Sequence, residues 1–106
     1  MKQHRRLLEL INRRQRQVLV HSFLYYQLGT SIIDDYTFDQ WALELANLMK
    51  DNKETAKKSE YYTYFIDFDG SSGFDLPFAH PDIQSTGYRL LAYHEKKKYG
   101  EVGELY

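Results

Sequence analysis

The residues from 34 to 49 have the hydrophobic periodicity of an amphipathic α-helix, and this pattern constrains the fold more than any other feature. Apolar residues recur at intervals of three and four, which places them along one side of a helix. Asp34 is suited to accept hydrogen bonds from the free amide groups of the first turn. A helix of this kind draws most of its stability from packing its apolar side against another element. The apolar positions are Phe38, Trp41, Ala42, Leu45, Leu48 and Met49.

Three further segments have a helical pattern. The first runs from about Lys2 to Leu28, the third from roughly Lys53 to Phe68, and the fourth begins near Pro81. Proline suits a first helical position, and Gly70 suits the turn after the third helix. Apart from an ambiguous run at 61–68, the sequence contains no alternating segment of strand length. We therefore predict an all-α fold of about four helices in two packed helical hairpins, with a Gly/Asp-rich loop between helices 3 and 4.

The length of 106 residues indicates one domain, in which residues 1–50 form a helical hairpin and residues 51–106 an extension packed on it. The chain contains no cysteine, which excludes disulfides and thiolate metal sites and is typical of a reducing compartment. Its N-terminus is charged, and no segment approaches the roughly 20 apolar residues of a membrane span. We expect a cytoplasmic protein that has no membrane partner.

The segment DFDGSSGFD, residues 67–75, resembles two kinds of site. Its spaced aspartates suggest calcium binding, but the glycine comes too early for an EF-hand loop and no glutamate closes it. It also resembles the nucleophile strand of haloacid-dehalogenase-type phosphatases, whose sheet and further acidic residues need a longer chain. The four histidines have no metal-ligand spacing, and no nucleophile elbow or phosphate-binding P-loop occurs. We therefore predict a non-enzymatic protein without a metal site, and a glycine turn at 67–75.

The segment that joins the first two helices combines aromatic and acidic residues. Tyr25 and Tyr26 end the first helix, while Asp35 and Asp39 lie one turn apart at the start of the second. Because the connection is short, we expect the two helix ends to form a small cleft with aromatic walls and carboxylates at its rim. Such a cleft suits a flat ligand that is cationic or rich in hydroxyl groups. In the alternative interpretation, the acids cap the helix and the tyrosines only pack.

The stretch HSFLYYQLGTSIIDDYTFDQWALEL, residues 21–45, resembles the N-terminal Ia domain of bacterial NAD-dependent DNA ligases. In that family, a helix with a Y-x-Y-H-like run is followed by a short loop and by D-x-E-Y-D-x-L, which opens a second helix. The resemblance implies that Tyr25, Asp35 and Asp39 bind the nicotinamide mononucleotide half of NAD, and that residues 1–50 are a ligase Ia-like hairpin. Two further binding positions differ from the family, since Tyr26 replaces a histidine and Phe38 replaces a tyrosine.

The rest of the chain resembles small ligase-related proteins of phages and prophages of Gram-positive bacteria. No lysine lies in a K-x-D-G nucleophile motif, so we do not expect the chain to ligate DNA alone. The resemblance implies a non-catalytic, phage-encoded interaction protein in the cytoplasm of a bacterial host. Its partner would be a host or phage protein that uses NAD, such as a host defence NADase of the TIR-domain type, which it modulates or inhibits. NAD or nicotinamide mononucleotide would be a ligand and not a required cofactor.

Two alternative functions are open at this point. The hairpin could be the scaffold of a protein–protein adaptor that has lost nucleotide binding, with tyrosines as its anchors. These are Tyr61, Tyr62, Tyr64 and Tyr88. The chain could also be a DNA-associated accessory protein that binds through its basic first helix, with an affinity that falls steeply as salt is added. The basic residues of that helix are Lys2, Arg5, Arg6, Arg13, Arg14 and Arg16.

Overall fold

A computed structural model describes residues 2–70, 76 and 80–103, and the side chains of residues 5–97 within those ranges. Four α-helices are present there: α1 (Lys2–Ser22), α2 (Asp35–Asp51), α3 (Lys53–Ala56) and α4 (Pro81–Gly103). A π-helical turn, Phe23–Gln27, continues α1, and a 3₁₀ helix, Tyr62–Phe65, follows α3. The described ranges contain no strand. The predicted all-α fold with four helices is confirmed.

The central element is α1, which contacts α2, α3 and α4. Its buried side carries Ile11, Val18 and Leu19, and the apolar stripe predicted for α2 places Ala42 and Leu45 against this core. Burial of such side chains contributes roughly 1.5–3 kcal/mol each, so the periodic apolar stripes are the main source of stability of the α1–α2 pair.

A glycine allows α4 to approach the end of α1 closely. A Cβ atom added at Gly87 would lie 2.7 Å from Cδ2 of Phe23, whose ring is itself buried. That ring also packs edge-on against Tyr88, with 5.5 Å between the ring centroids. The absence of a side chain at position 87 therefore sets how near α4 lies to the π-helical turn.

The third helix is much shorter than the sequence predicts. A continuous helix from Lys53 to Phe68 is wrong, because α3 ends at Ala56 and is followed by turns and then by the 3₁₀ helix. The interruption is bridged by the completely buried side chain of Gln15, which projects from α1. Its Nε2 donates to Ser59 Oγ at 2.8 Å, and its Oε1 accepts from the Tyr61 backbone N–H at 3.1 Å.

A second side chain of α1 supports the same turn. Asn12 Oδ1 accepts a hydrogen bond from the Glu60 backbone N–H at 2.9 Å. Backbone amide groups need hydrogen-bond partners, and here α1 side chains supply the acceptors that a longer helix would have provided internally. The chain can therefore leave the helical path between Ala56 and Tyr62 without leaving these two amide groups unpaired.

The chain turns back towards α2 at Gly70. Its φ of +85° lies in the region that favours glycine, and an added Cβ would meet Ala42 O and Leu43 Cα at 3.2 Å. Of the predicted glycine turn at 67–75, only the part up to Gly70 lies within the described residues. Leu76 is buried in the core before α4 begins at Pro81.

Candidate functional site

A cavity of about 230 Å³ lies where the end of α1 meets the start of α2. All five residues that the sequence proposes for ligand binding line this cavity, which we call the cleft. They are Tyr25, Tyr26, Asp35, Phe38 and Asp39, and His21, Ser31 and Ile33 complete the lining. The structure thus brings the proposed residues together around an accessible hollow.

The π-helical turn positions the two tyrosines. The Leu28 N–H donates to Phe23 O, an i→i+5 bond that widens the helix by one residue. Phe23 and Leu24 point into the core, whereas Tyr25 and Tyr26 are 52 % and 37 % exposed. The sequence predicts a helix to Leu28 but gives no sign of this change in helix type. Turns of this kind are frequent at functional sites.

The two phenol rings form one wall of the cleft together. Their centroids are 4.9 Å apart and their planes are inclined by 75°, which is an edge-to-face arrangement. Such pairs are worth about 0.5–1.5 kcal/mol beyond the area they bury, so each ring restricts the position of the other. The aromatic wall is therefore fixed by contacts within the chain itself.

A short connection holds the two helix ends together. Gly29 takes up a φ of +65°, and the Thr30 N–H donates to Leu24 O at 3.0 Å, as at many helix C-termini. Ser31 Oγ then donates to Ile33 O at 2.6 Å. Because these bonds tie residues 24–33 into a compact turn, Ser31 and Ile33 reach the cleft from the connection itself.

Two neighbouring aspartates at the start of α2 have different roles. Asp34 Oδ1 accepts a hydrogen bond from the Thr37 backbone N–H at 2.7 Å, which confirms Asp34 as the N-cap. This bond lowers the pKa of Asp34, because it stabilises the carboxylate form. Asp35 instead lines the cleft together with Asp39, and both side chains are exposed. The N-cap is thus Asp34, whereas Asp35 and Asp39, which the alternative interpretation takes as caps, line the cleft.

His21 contributes a buried imidazole to the cleft. It packs against the Trp41 ring at 5.4 Å between centroids, and the Arg14 guanidinium lies 5.7 Å from the Trp41 ring centroid. Burial lowers the pKa of His21 to about 4, because the charged imidazolium is poorly solvated there. The ring is therefore neutral at pH 7 and can offer both a donor and an acceptor.

The sequence reasoning did not assign His21, Ser31 or Ile33 to the site. A signal for His21 was present, since it lies four residues before Tyr25 and hence on the same side of the helix.

The electrostatic character of the cleft is negative. The eight lining residues include two carboxylates and a neutral imidazole, but neither lysine nor arginine. Aromatic faces and carboxylates attract a cationic ring, and carboxylates accept hydrogen bonds from hydroxyl groups. Within the described ranges, no group of three or more histidine, aspartate or glutamate side chains is placed to hold a metal ion.

The tyrosines proposed as anchors of an adaptor are not all accessible. Tyr61 is only 8 % exposed, because its ring packs against Tyr64 and His80 at 5.8 and 5.5 Å between centroids. Its assignment as an anchor is therefore wrong. Tyr62 and Tyr64 are half-buried, and Tyr88 is 55 % exposed.

Two arginines of the basic first helix are already paired. Arg14 Nε lies 3.0 Å from Glu44 Oε2, and Arg16 Nη2 lies 2.9 Å from Glu60 Oε2. These contacts neutralise part of the basic surface that a DNA-binding function would use. Arg5, Arg6 and Arg13 are exposed.

No helix in the described part of the chain has both the length and the apolar character that crossing a bilayer requires. Comparison of the chain with protein-family models, with curated proteins and with solved structures yielded no match in any of the three.

Proposed function

We propose that this chain is a non-catalytic binding protein whose cleft recognises the nicotinamide mononucleotide half of NAD. The observation that carries the proposal is the convergence of Tyr25, Tyr26, Asp35, Phe38 and Asp39 on one cavity. A nicotinamide ring of the oxidised nucleotide is flat and cationic, so it suits an aromatic wall beside two carboxylates. The ribose hydroxyls can donate to the same carboxylates.

The size of the cleft supports a half-nucleotide over a whole dinucleotide. Pockets for drug-sized ligands typically measure about 300–1,000 Å³, whereas the cleft measures about 230 Å³. It therefore accommodates the nicotinamide ring and part of the ribose. The phosphate would lie outside the carboxylate rim, where solvent screens its repulsion from Asp35 and Asp39.

A titration with nicotinamide mononucleotide, followed by two-dimensional NMR of the ¹⁵N-labelled protein, tests this proposal. We expect shifts confined to the amides of residues 21–39, and the same shifts with NAD. Asp39→Asn should weaken binding by roughly 10- to 150-fold, because it removes a charge-assisted hydrogen bond worth about 1.5–3 kcal/mol. Asp82→Asn, which changes an exposed aspartate of α4, should change the affinity less than twofold.

Two outcomes would reject nucleotide recognition. One is the absence of any shift at millimolar concentrations of both nucleotides. The other is an equal loss of affinity in Asp39→Asn and Asp82→Asn, which would indicate non-specific attraction. In either case, a protein–protein adaptor becomes the better candidate. Exposed Tyr88 and Tyr93 on α4 favour it.

The biological role that we propose is modulation of a host or phage protein that uses NAD, in a phage-infected bacterial cell. Its support is the resemblance of residues 21–48 to the ligase Ia domain and of the remaining chain to phage ligase-related proteins. A purified TIR-domain NADase, assayed for NAD cleavage with and without the chain, tests this role. Inhibition that is lost in Asp39→Asn would link the role to the cleft, whereas an unchanged cleavage rate would remove this class of target.

A further inference from the structure

A second cavity, of about 300 Å³, lies between the last turns of α2, α3 and the 3₁₀ helix. We call it the groove. One part of its lining is cationic and consists of Lys50, Lys53 and Lys57, while the other part is largely apolar. Lys50 lies 11 residues after Asp39, which is about 16 Å along a helix, so the groove and the cleft can be occupied at the same time.

The positive charges of the groove lysines are little compensated by carboxylates of the chain. Lys57 Nζ approaches Glu54 at 3.4 Å, but both side chains are mostly exposed and such a pair contributes little. Among the described residues, neither Lys50 nor Lys53 has a carboxylate within 4.0 Å. A ligand that brings carboxylates to this edge would therefore complete ion pairs that the chain itself does not make.

The apolar part of the groove has one prominent exposed residue. Ile66 is 58 % exposed, although it follows Phe65, which is buried at 2 % exposure in the floor of the groove. Met49 and Phe68 are half-buried beside them. Met and aromatic side chains accommodate a range of apolar partners, and this combination is common on surfaces that bind amphipathic segments.

From this juxtaposition we infer that the groove docks an acidic amphipathic segment of a partner protein. The apolar side chains of the segment lie on Met49, Phe65 and Ile66, and its carboxylates meet Lys50 and Lys53. Binding does not depend on nucleotide recognition at the cleft. A single-stranded nucleic acid fits the groove less well, because base stacking needs exposed aromatic faces. Of the aromatic residues in the lining, Phe65 is buried and Tyr62 and Phe68 are half-buried, whereas the most exposed apolar residue is Ile66.

A selection from a random 12-residue peptide library tests the inference, with the full chain as the target. We expect enriched peptides to combine aspartate or glutamate with large apolar residues at helical spacing. Their affinity should fall at least tenfold for Lys50→Glu/Lys53→Glu and for Ile66→Ser. The matched control is Lys96→Glu/Lys97→Glu on the exposed side of α4, which should change affinity less than twofold.

An NMR titration of the unaltered protein with an enriched peptide keeps the test independent of how the variants fold. Shifts should concentrate in residues 46–68 and spare residues 21–39, and nicotinamide mononucleotide should leave the peptide affinity unchanged. A failure of nucleotide binding would therefore be distinguished from a failure of peptide docking.

Four results would overturn the inference. Enriched peptides without acidic bias would remove the role of the lysines, and equal losses in the groove and α4 variants would indicate non-specific attraction. A single-stranded oligonucleotide that binds more tightly than the peptides, and only when Lys50 and Lys53 are present, would assign the groove to nucleic acid. A concentration-dependent dimer that Ile66→Ser abolishes would identify the occupant as a second copy of the chain.

Discussion

The α1–α2 pair is held together by different forces from those that hold the segment 52–70 against α1. The pair is held by two periodic apolar stripes and by an N-cap. The segment contains only one turn of α-helix, and the buried side-chain amide of Gln15 on α1 bonds its backbone. Regular elements thus need only the right spacing of apolar residues, whereas an irregular segment needs particular polar partners from elsewhere in the chain.

The largest loss of stability is expected when Gln15, whose side chain connects α1 to the segment 52–70, is replaced. Gln15→Leu leaves the Tyr61 amide and Ser59 without their partner, and an unsatisfied buried polar group costs about 1–3 kcal/mol. We expect the free energy of unfolding to fall by about 3 kcal/mol, measured by urea denaturation. Gln40→Leu, at an exposed position of α2, should change it by less than about 0.5 kcal/mol. If the two variants lose equal stability, the buried amide is not what holds the segment.

The second prediction concerns the α1–α2 pair and the stability of the fold at acidic pH. The pKa of His21 is about 4 in the folded chain and 6.5 as its ordinary value, so the unfolded chain binds more protons between these values. Stability therefore falls as the pH drops from about 6.5 to about 4. The contribution of His21 to this fall is about 2 kcal/mol, somewhat below the full shift because the cleft admits water.

His21→Phe keeps a ring against Trp41 and removes the titration, so its unfolding free energy should depend less on pH. The groups that face His21 across the cleft are Tyr25, Tyr26, Asp35 and Asp39, with Arg14 behind Trp41. They are present in both proteins, and their effect cancels in the comparison. Urea denaturation of both proteins at pH 7 and at pH 4.5 measures this difference in pH dependence. Parallel pH profiles would show that His21 is not held neutral.

A third, smaller effect is expected from the N-cap. Asp34→Ala removes the bond to the Thr37 amide and should lower the free energy of unfolding by about 1 kcal/mol. Asp35→Ala should lower it less, since Asp35 does not make the capping bond. Thermal denaturation of the two variants measures the difference. A larger loss for Asp35→Ala would reverse the division of roles between the two aspartates.

The smallest effect is expected for the exposed ion pair that connects the segment 52–70 to α1. Glu60→Gln removes the ion pair with Arg16. The side chains of both residues are nearly half exposed. Surface pairs of this kind contribute about 0–1 kcal/mol, so we expect a loss below about 0.5 kcal/mol. A double-mutant cycle with Arg16→Gln measures the coupling. A coupling energy as large as the loss expected for Gln15→Leu would show that burial does not explain why the Gln15 hydrogen bonds stabilise the fold more than the Arg16–Glu60 ion pair.

These differences explain which parts of the structure the sequence could predict. The limits of α2 and its cap follow from local spacing, and the short connection was sufficient to bring Tyr25 and Tyr26 to the same cavity as Asp39. The function of that cavity stays a prediction. The two helices are neighbours in sequence, so no long-range information was needed to place the site.

The interruption of the third helix could not be predicted in the same way. Its residues keep helical apolar spacing from Lys53 to Phe68, and the partners that stop the helix lie 44–48 residues earlier. Nothing in the local pattern shows that Gln15 and Asn12 point at this backbone. The π-helical turn escaped prediction for a related reason, since its residues have no composition that separates them from an α-helix.

The π-helical turn, Phe23–Gln27, contains one residue more than an α-helix would need there, so the geometry of the site depends on the number of residues in this turn. Deleting one residue within 23–27 would let α1 continue as a plain α-helix up to the connection. Successive residues are about 100° apart around such a helix, so one phenol would swing away from the carboxylates. Among natural variants of this chain, a single-residue gap at this place would mark those in which the cleft is no longer formed in this way, even where both tyrosines and both aspartates persist.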